Sequence, residues 1–380
     1  MPRPLLTTLL LAVTCLMSDS TLPFAQADDP LVFISAFASG EGGAIHAYRL
    51  DPQSGRLTLS EKTGDVEHPF FLALSPDRRF LYSIHADQFG GKASEQVAAY
   101  RIVNASGSLE LLNRQSTHGT ASCYLDVDAT GKTVVVANYS TGSVASLPVN
   151  DDGSLGEAVS FIQHSGSSVN PQRQTGPNAH CIVVSPDNRF VFAADLGIDK
   201  ILGYQLDASN SQLTPHRQAF VRMPPGAGPR HLTFHPNGQH VYVINELANS
   251  VTHFDYDSEE GFLFERAILS TLPEDFTGES YCADVKITPN GRYLYGTNRG
   301  HDSIACYRIA EDGQLTLLDI TPSGGKGPQN LAITSDGSLL LCANMPGNNV
   351  QLFSIDPDTG SLASAGEPLS ITSPSCIMLK

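Results

Sequence analysis

Leu232-Thr-Phe-His-Pro-Asn237 is one copy of a phrase that recurs along the chain: an apolar alternating run, a turn, then a second apolar run. The other copies are Phe71-Leu-Ala-Leu-Ser-Pro-Asp77, Tyr124-Leu-Asp-Val-Asp128, Ile182-Val-Val-Ser-Pro-Asp187, Val285-Lys-Ile-Thr-Pro-Asn290 and Leu331-Ala-Ile-Thr-Ser-Asp336. Aligned on Pro76, Ala129, Pro186, Pro236, Pro289 and Ser335, they step by about 53, 57, 50, 53 and 46 residues, the period of propeller blades. Each copy continues with a second strand ending near Asn or Asp, a third strand, an acidic-Gly turn such as Glu311-Asp312-Gly313, and a fourth, outer strand. Period-two alternation with glycine turns marks antiparallel strands.

Six copies are complete and a seventh is split. Ser375-Cys-Ile-Met-Leu379 matches a first strand, and Leu31-Val-Phe-Ile-Ser35 matches a second strand, followed by Ala44–Leu50 and Gly55–Ser60. The two ends together make one blade, which closes the ring and removes the open edges of a β array. An open solenoid or a pair of sandwiches leaves the split repeat unexplained. The expected fold is all-β: a seven-bladed propeller of four-stranded antiparallel blades, closed by a blade shared between the termini.

Arg3, the apolar run Leu5 to Met17 and the small-x-small Ala25-Gln26-Ala27 read as a signal peptide over residues 1–27, with the propeller over 28–380. An exported, periplasmic or secreted protein is expected. Six cysteines follow Cys15, in no CxxC or small-domain framework, and are read as mostly free and buried. The formal charge of -16 disfavours a nucleic-acid or anionic-membrane partner and makes clustered arginines informative, since Lys and Arg number only 23. No HxxxH, CxxC, EF-hand loop, phosphate loop or GxSxG elbow appears, so neither metal nor cofactor is expected.

In a propeller the first strands line the central channel, and loops from different blades converge at its mouth. Four residues there replace the repeat's small or apolar ones: His180, Arg230, Glu246 and Arg299. They offer a base, an acid and two guanidiniums, which suit proton transfer and the holding of carboxylate, phosphate or oxyanion. Each also has a structural reading, as a satisfied histidine or a salt bridge between blades. Further candidates are His231, His301 and Asp195, which fills the repeat's Asn/Asp turn slot and is equally read as an Asx turn. Arg173 lies in a long inter-blade loop, either over the channel or solvated.

These residues sit in stretches that resemble the lactonase family of seven-bladed propellers, which includes bacterial propeller-type 6-phosphogluconolactonases and a fungal muconate cycloisomerase. The stretches are Ser167-Ser-Val-Asn-Pro-Gln-Arg-Gln174, Asp195-Leu-Gly-Ile-Asp-Lys200, Gly226-Ala-Gly-Pro-Arg-His-Leu-Thr-Phe-His-Pro236, Val243-Ile-Asn-Glu246 and Asn298-Arg-Gly-His-Asp302. The resemblance implies that His180, Arg230, Glu246 and Arg299 form the active site. It departs at Asn178, where the family has a further histidine, at Asp284, where a Glu is common, and at Gln329, where a third guanidinium is usual. It implies hydrolysis of a small-molecule sugar lactone by a monomer or weak homodimer. Two other readings stay open: a carbohydrate- or protein-binding propeller, and a muconate-type lactonising enzyme.

Overall fold

The computed structural model describes Met1 and residues 30–86 and 90–380; the expected signal segment, 1–27, lies outside these apart from Met1. Blades 1 to 6 follow in chain order. Their inner strands are Leu72–Leu74, Ser122–Val127, Ala179–Val184, Pro229–Phe234, Tyr281–Ile287 and Pro328–Ile333. The seventh blade joins Pro374–Leu379, as inner strand, to Leu31–Ala36, Ala44–Asp51 and Arg56–Thr63. Each inner strand packs on the next, and that of blade 7 returns to blade 1, so the ring is closed. The seven-bladed propeller expected from the repeat is what the chain forms.

The second strands of the blades, such as Phe80–His85, Phe190–Asp195 and His240–Asn245, are buried along their whole length. They have a neighbouring blade on each face, so both sides must be apolar. The core therefore consists of layers between blades. One layer holds Tyr242, Ile244 and Val251 against Cys282, Val285, Leu294 and Tyr307. Tyrosines tie successive layers: Tyr82 Oη donates to Gly153 O (3.2 Å), Tyr242 Oη to Gly313 O (2.7 Å) and Tyr295 Oη to Gly360 O (2.7 Å). Each such bond is worth about 1 kcal/mol net and pairs the tyrosine's own buried hydroxyl. All six cysteines after Cys15 are free and buried.

One difference from the expected pattern lies in blade 6. Its outer strand is broken into Leu362–Ser364 and Leu369–Ser370, which pair separately with the third strand. Gly366, at φ +72°, and Pro368, which has no N–H to donate, interrupt it.

Candidate active site

Two recurrent backbone features place the chemistry. The first is a bulge near the start of the inner strand. In blades 2, 3, 4, 6 and 7 the pairing register skips one residue, at Cys123, His180, Arg230, Gln329 and Ser375. In blade 5 it skips Ala283 and Asp284. A bulge leaves its residue out of the ladder and re-aims the side chain. The second is an asparagine at or near the end of the second strand. Asn138, Asn298 and Asn344 each donate to the crossover entering their own blade, at Thr117 O (3.3 Å), Thr271 O (2.8 Å) and Ser323 O (3.0 Å). The asparagine is thus structural, and the residue after it is free to vary: Tyr139, Glu246, Arg299 and Met345 occupy that slot.

Bulge and slot meet at Glu246. Its carboxylate, 5% exposed, contacts Arg173 Nη2 (2.6 Å), Arg230 Nε (3.0 Å) and Arg299 Nη2 (2.8 Å), and His180 Nε2 stands 4.0 Å away. The Arg230 Nε–H is not aimed at the carboxylate, so that contact is an ion pair without a hydrogen bond. Three guanidiniums around one carboxylate leave a local surplus of two positive charges. Burial pushes the Glu246 carboxyl up, but Arg299, Arg230 and Arg173 reverse this and hold it below the usual range. Burial, followed by the charge of Arg230, pushes His180 well below the ordinary imidazole value. Burial lowers Arg230 to about 10. At neutral pH the set is therefore an ionised Glu246, cationic arginines and a neutral His180.

An open cleft of about 600 Å³ lies over this cluster, lined by Arg173, Glu246, Arg299, Tyr281, Glu279 and Lys326 among others. His180 and Arg230 sit behind it, 7% and 1% exposed. Arg173 reaches the cluster instead of being solvated, and also donates to Tyr139 Oη (3.2 Å). Its loop is tied down by Gln174, which donates to Leu196 O and Asp199 Oδ1 at 2.8 Å each.

The remaining candidates lie elsewhere. Asp284 is wholly buried and saturated: Oδ1 receives His231 Nδ1 (2.8 Å), Val285 N and Lys286 Nζ, and Oδ2 receives Asn330 Nδ2 and Leu331 N. It does not line the cleft over Glu246. It fixes the His231 ring, whose Nε2 faces Arg230 Nη1 at 3.2 Å. Both residues therefore act beneath Arg230 and cannot reach a molecule in the cleft. Burial, and then Arg230, lower His231 to about 3. Asp195 is apart from the cluster. It pairs with His164 (2.7 Å) and accepts from Asn178 N and Gly197 N, which is the turn reading. His301 bonds Ser303 Oγ (2.7 Å) and packs on Phe276, also apart.

Two residues missed in the sequence matter. Tyr139 fills the slot equivalent to Glu246, a signal present in the repeat alignment. Asp199 accepts from Gln174, Gly226 N (2.6 Å), Gly228 N (2.7 Å) and Ser168, binding the Arg173 loop to the turn that carries Arg230. It lies within Asp195-Leu-Gly-Ile-Asp-Lys200, but nothing in one sequence marks a loop-tying aspartate.

The model of the lactonase family, described as a 7-bladed beta-propeller, matches residues 31–379. The chain belongs to this family. A 6-phosphogluconolactonase of Bacillus subtilis is 34% identical over 348 residues, covering 91% of this chain and 97% of its own. One from Formosa agariphila is 30% identical, covering 92% and 99%. Among solved structures, the periplasmic gluconolactonase of Pseudomonas aeruginosa superposes with a TM-score of 0.87 at 29% identity, covering 92% of this chain and 98% of that one. Membership supports a lactone hydrolase acting on sugar lactones.

Proposed function

We propose that this protein is an exported enzyme that opens a sugar δ-lactone in the cleft above Glu246, at the mouth of the central channel. The observation that carries this is the cluster itself: one buried carboxylate held by three guanidiniums beside a neutral imidazole. Arg173 and Arg299, the two partly exposed cations, orient the lactone carbonyl and its anionic or hydroxyl groups. His180 is assigned as the base because it is neutral and its Nε2 stands beside Glu246, while Glu246 itself is held ionised by three guanidiniums that reduce its basicity. Water adds to the lactone carbonyl carbon while its proton passes to His180 Nε2. The new oxyanion rests on the Arg299 guanidinium. The imidazolium, 4.0 Å from Glu246 in the free enzyme, is stabilised by that carboxylate. On collapse the ring C–O bond breaks and the ring oxygen takes the proton from His180, leaving a hydroxy acid.

Export is supported by the N-terminal sequence pattern and by the periplasmic relative. The test is lactone opening by purified protein, followed by NMR against buffer blanks, with gluconolactone and its 6-phosphate beside calorimetry of the same compounds. Opening of at least one above the blank is expected. Binding without turnover of either would replace the enzyme with a binding propeller.

A further inference from the structure

We propose that His240, His253 and Asp255 form a binding site for a divalent ion of the zinc class, between blades 4 and 5. The site stands at the opposite end of the second strand His240–Asn245 from Glu246, about 20 Å away at the usual rise per residue. His240 Nδ1 is 3.1 Å from Asp255 Oδ1 and 3.1 Å from His253 Nε2, and the remaining side, Nε2 to Oδ1, is 3.7 Å. Zinc bonds of about 2.0–2.1 Å in a tetrahedron set ligand atoms roughly 3.3 Å apart. The three sides average that edge, and the circle through the atoms has a radius of about 1.9 Å, so an ion at bonding distance stands just off their plane. Two imidazoles and a carboxylate are donors that suit zinc, copper or nickel ions.

Without an ion the arrangement is poorly satisfied. A single proton on His240 Nδ1 would have to serve both neighbours at once. Arg266 binds Asp255 through Oδ2 and leaves Oδ1 turned toward the histidines.

The repeat supplies a control. In blades 1, 3 and 5 the position of His240 holds Phe80, Phe190 and Tyr293, each under the turn glycine of the next blade. In blade 4 that glycine is Gly313, where an added methyl would lie 2.5 Å from His240 Nδ1 and 2.6 Å from His253 Nε2. This close packing of a turn glycine on a ring is shared by the four blades, but only in blade 4 does the glycine face two ring nitrogens. The positions matching His253 in blades 1, 3 and 5, Ala99, Gly203 and Cys306, are small and lie opposite the buried aromatic of the second strand, whereas in blade 6 the position is Leu352 opposite Leu341. The far nitrogens, His240 Nε2 and His253 Nδ1, have no protein partner. Such support is commonly worth 10–100-fold in affinity, so binding weaker than in a fully braced zinc site is expected.

The experiment uses untagged full-length protein dialysed against chelator and titrated with Co²⁺, then Zn²⁺. One Co²⁺ per chain is expected, with visible absorption of a low-coordinate N/O site that Zn²⁺ abolishes. At Zn²⁺ a hundred times above Kd, Tm should rise by about 4 °C. Asp255→Asn, at a partly exposed position, should fold, keep its lactone-opening rate and lose at least tenfold in affinity, as should His253→Gln. The site is refuted if unaltered protein takes up neither ion below millimolar concentration, or if both variants bind as tightly as it does.

Discussion

Two buried histidine–aspartate pairs in the ring end differently. His164 and Asp195 are joined at 2.7 Å with both side chains at 0% exposure, and the far ring nitrogen of His164 meets Tyr204 Oη at 2.7 Å. His231 and Asp284 are joined at 2.8 Å and are nearly as deeply buried. Here the far nitrogen meets Arg230, which reaches Glu246 and, through it, the cleft. The same dyad is a closed strut in one place and the foundation of a charge cluster in the other. Chemistry of the pair does not separate them; what the second nitrogen touches does.

The largest expected effect is at the open end of the second chain of contacts. His180→Gln should lower kcat/KM for lactone opening by about 1,000-fold, within the usual range for a positioned base, while Tm holds within a few degrees. A rate within threefold of the unaltered enzyme would remove His180 from the reaction. Next, Arg299→Ala should lower kcat/KM by about 100-fold, with kcat falling as well as KM rising, because the guanidinium both orients the lactone and holds the oxyanion. Glu246 is a poor site for alanine, since its loss leaves the buried Arg230 guanidinium without its carboxylate at a cost of about 3–5 kcal/mol.

His231→Gln should slow turnover by about tenfold with KM little changed, as Arg230 loses its backing; a rate loss of this size is about 1.4 kcal/mol. The same variant has a pH signature. His231 is lowered to about 3 in the folded state, so the unfolded chain binds a proton first as pH falls through about 6.5. That part of the stability is present above pH 6.5 and lost toward pH 3, and His231→Gln should flatten the acid limb of Tm against pH. The smallest effect on rate belongs to the closed strut. His164→Gln should leave kcat/KM within threefold, while the loss of two buried hydrogen bonds lowers Tm by about 3–5 °C. A larger rate loss there would erase the distinction between the pairs.

The repeat alignment contains the fold almost completely, because strand period, turn glycines and the split seventh copy all act locally. It also exposes the positions that vary after the buried asparagine, which is how Glu246 and Arg299 stand out. What it lacks is the path of long loops. Arg173 comes from a loop with no repeat equivalent, and the anchoring of Gln174 and Ser168 to Asp199 and Leu196 brings it to Glu246. Asp195 occupies a promising slot, yet it is spent on His164, a partner from the preceding crossover. His240, His253 and Asp255 form no linear motif, since their spacing becomes meaningful only when adjacent strands pair in the observed register.

The seventh blade has a consequence for biosynthesis. Its innermost strand, Pro374–Leu379, is made last, whereas its other three strands are made first. Until those residues are made, the nascent chain is an arc with a bare β edge at its early end. A truncation that removes only Pro374–Leu379 should therefore behave as an aggregation-prone open array instead of a slightly shortened protein.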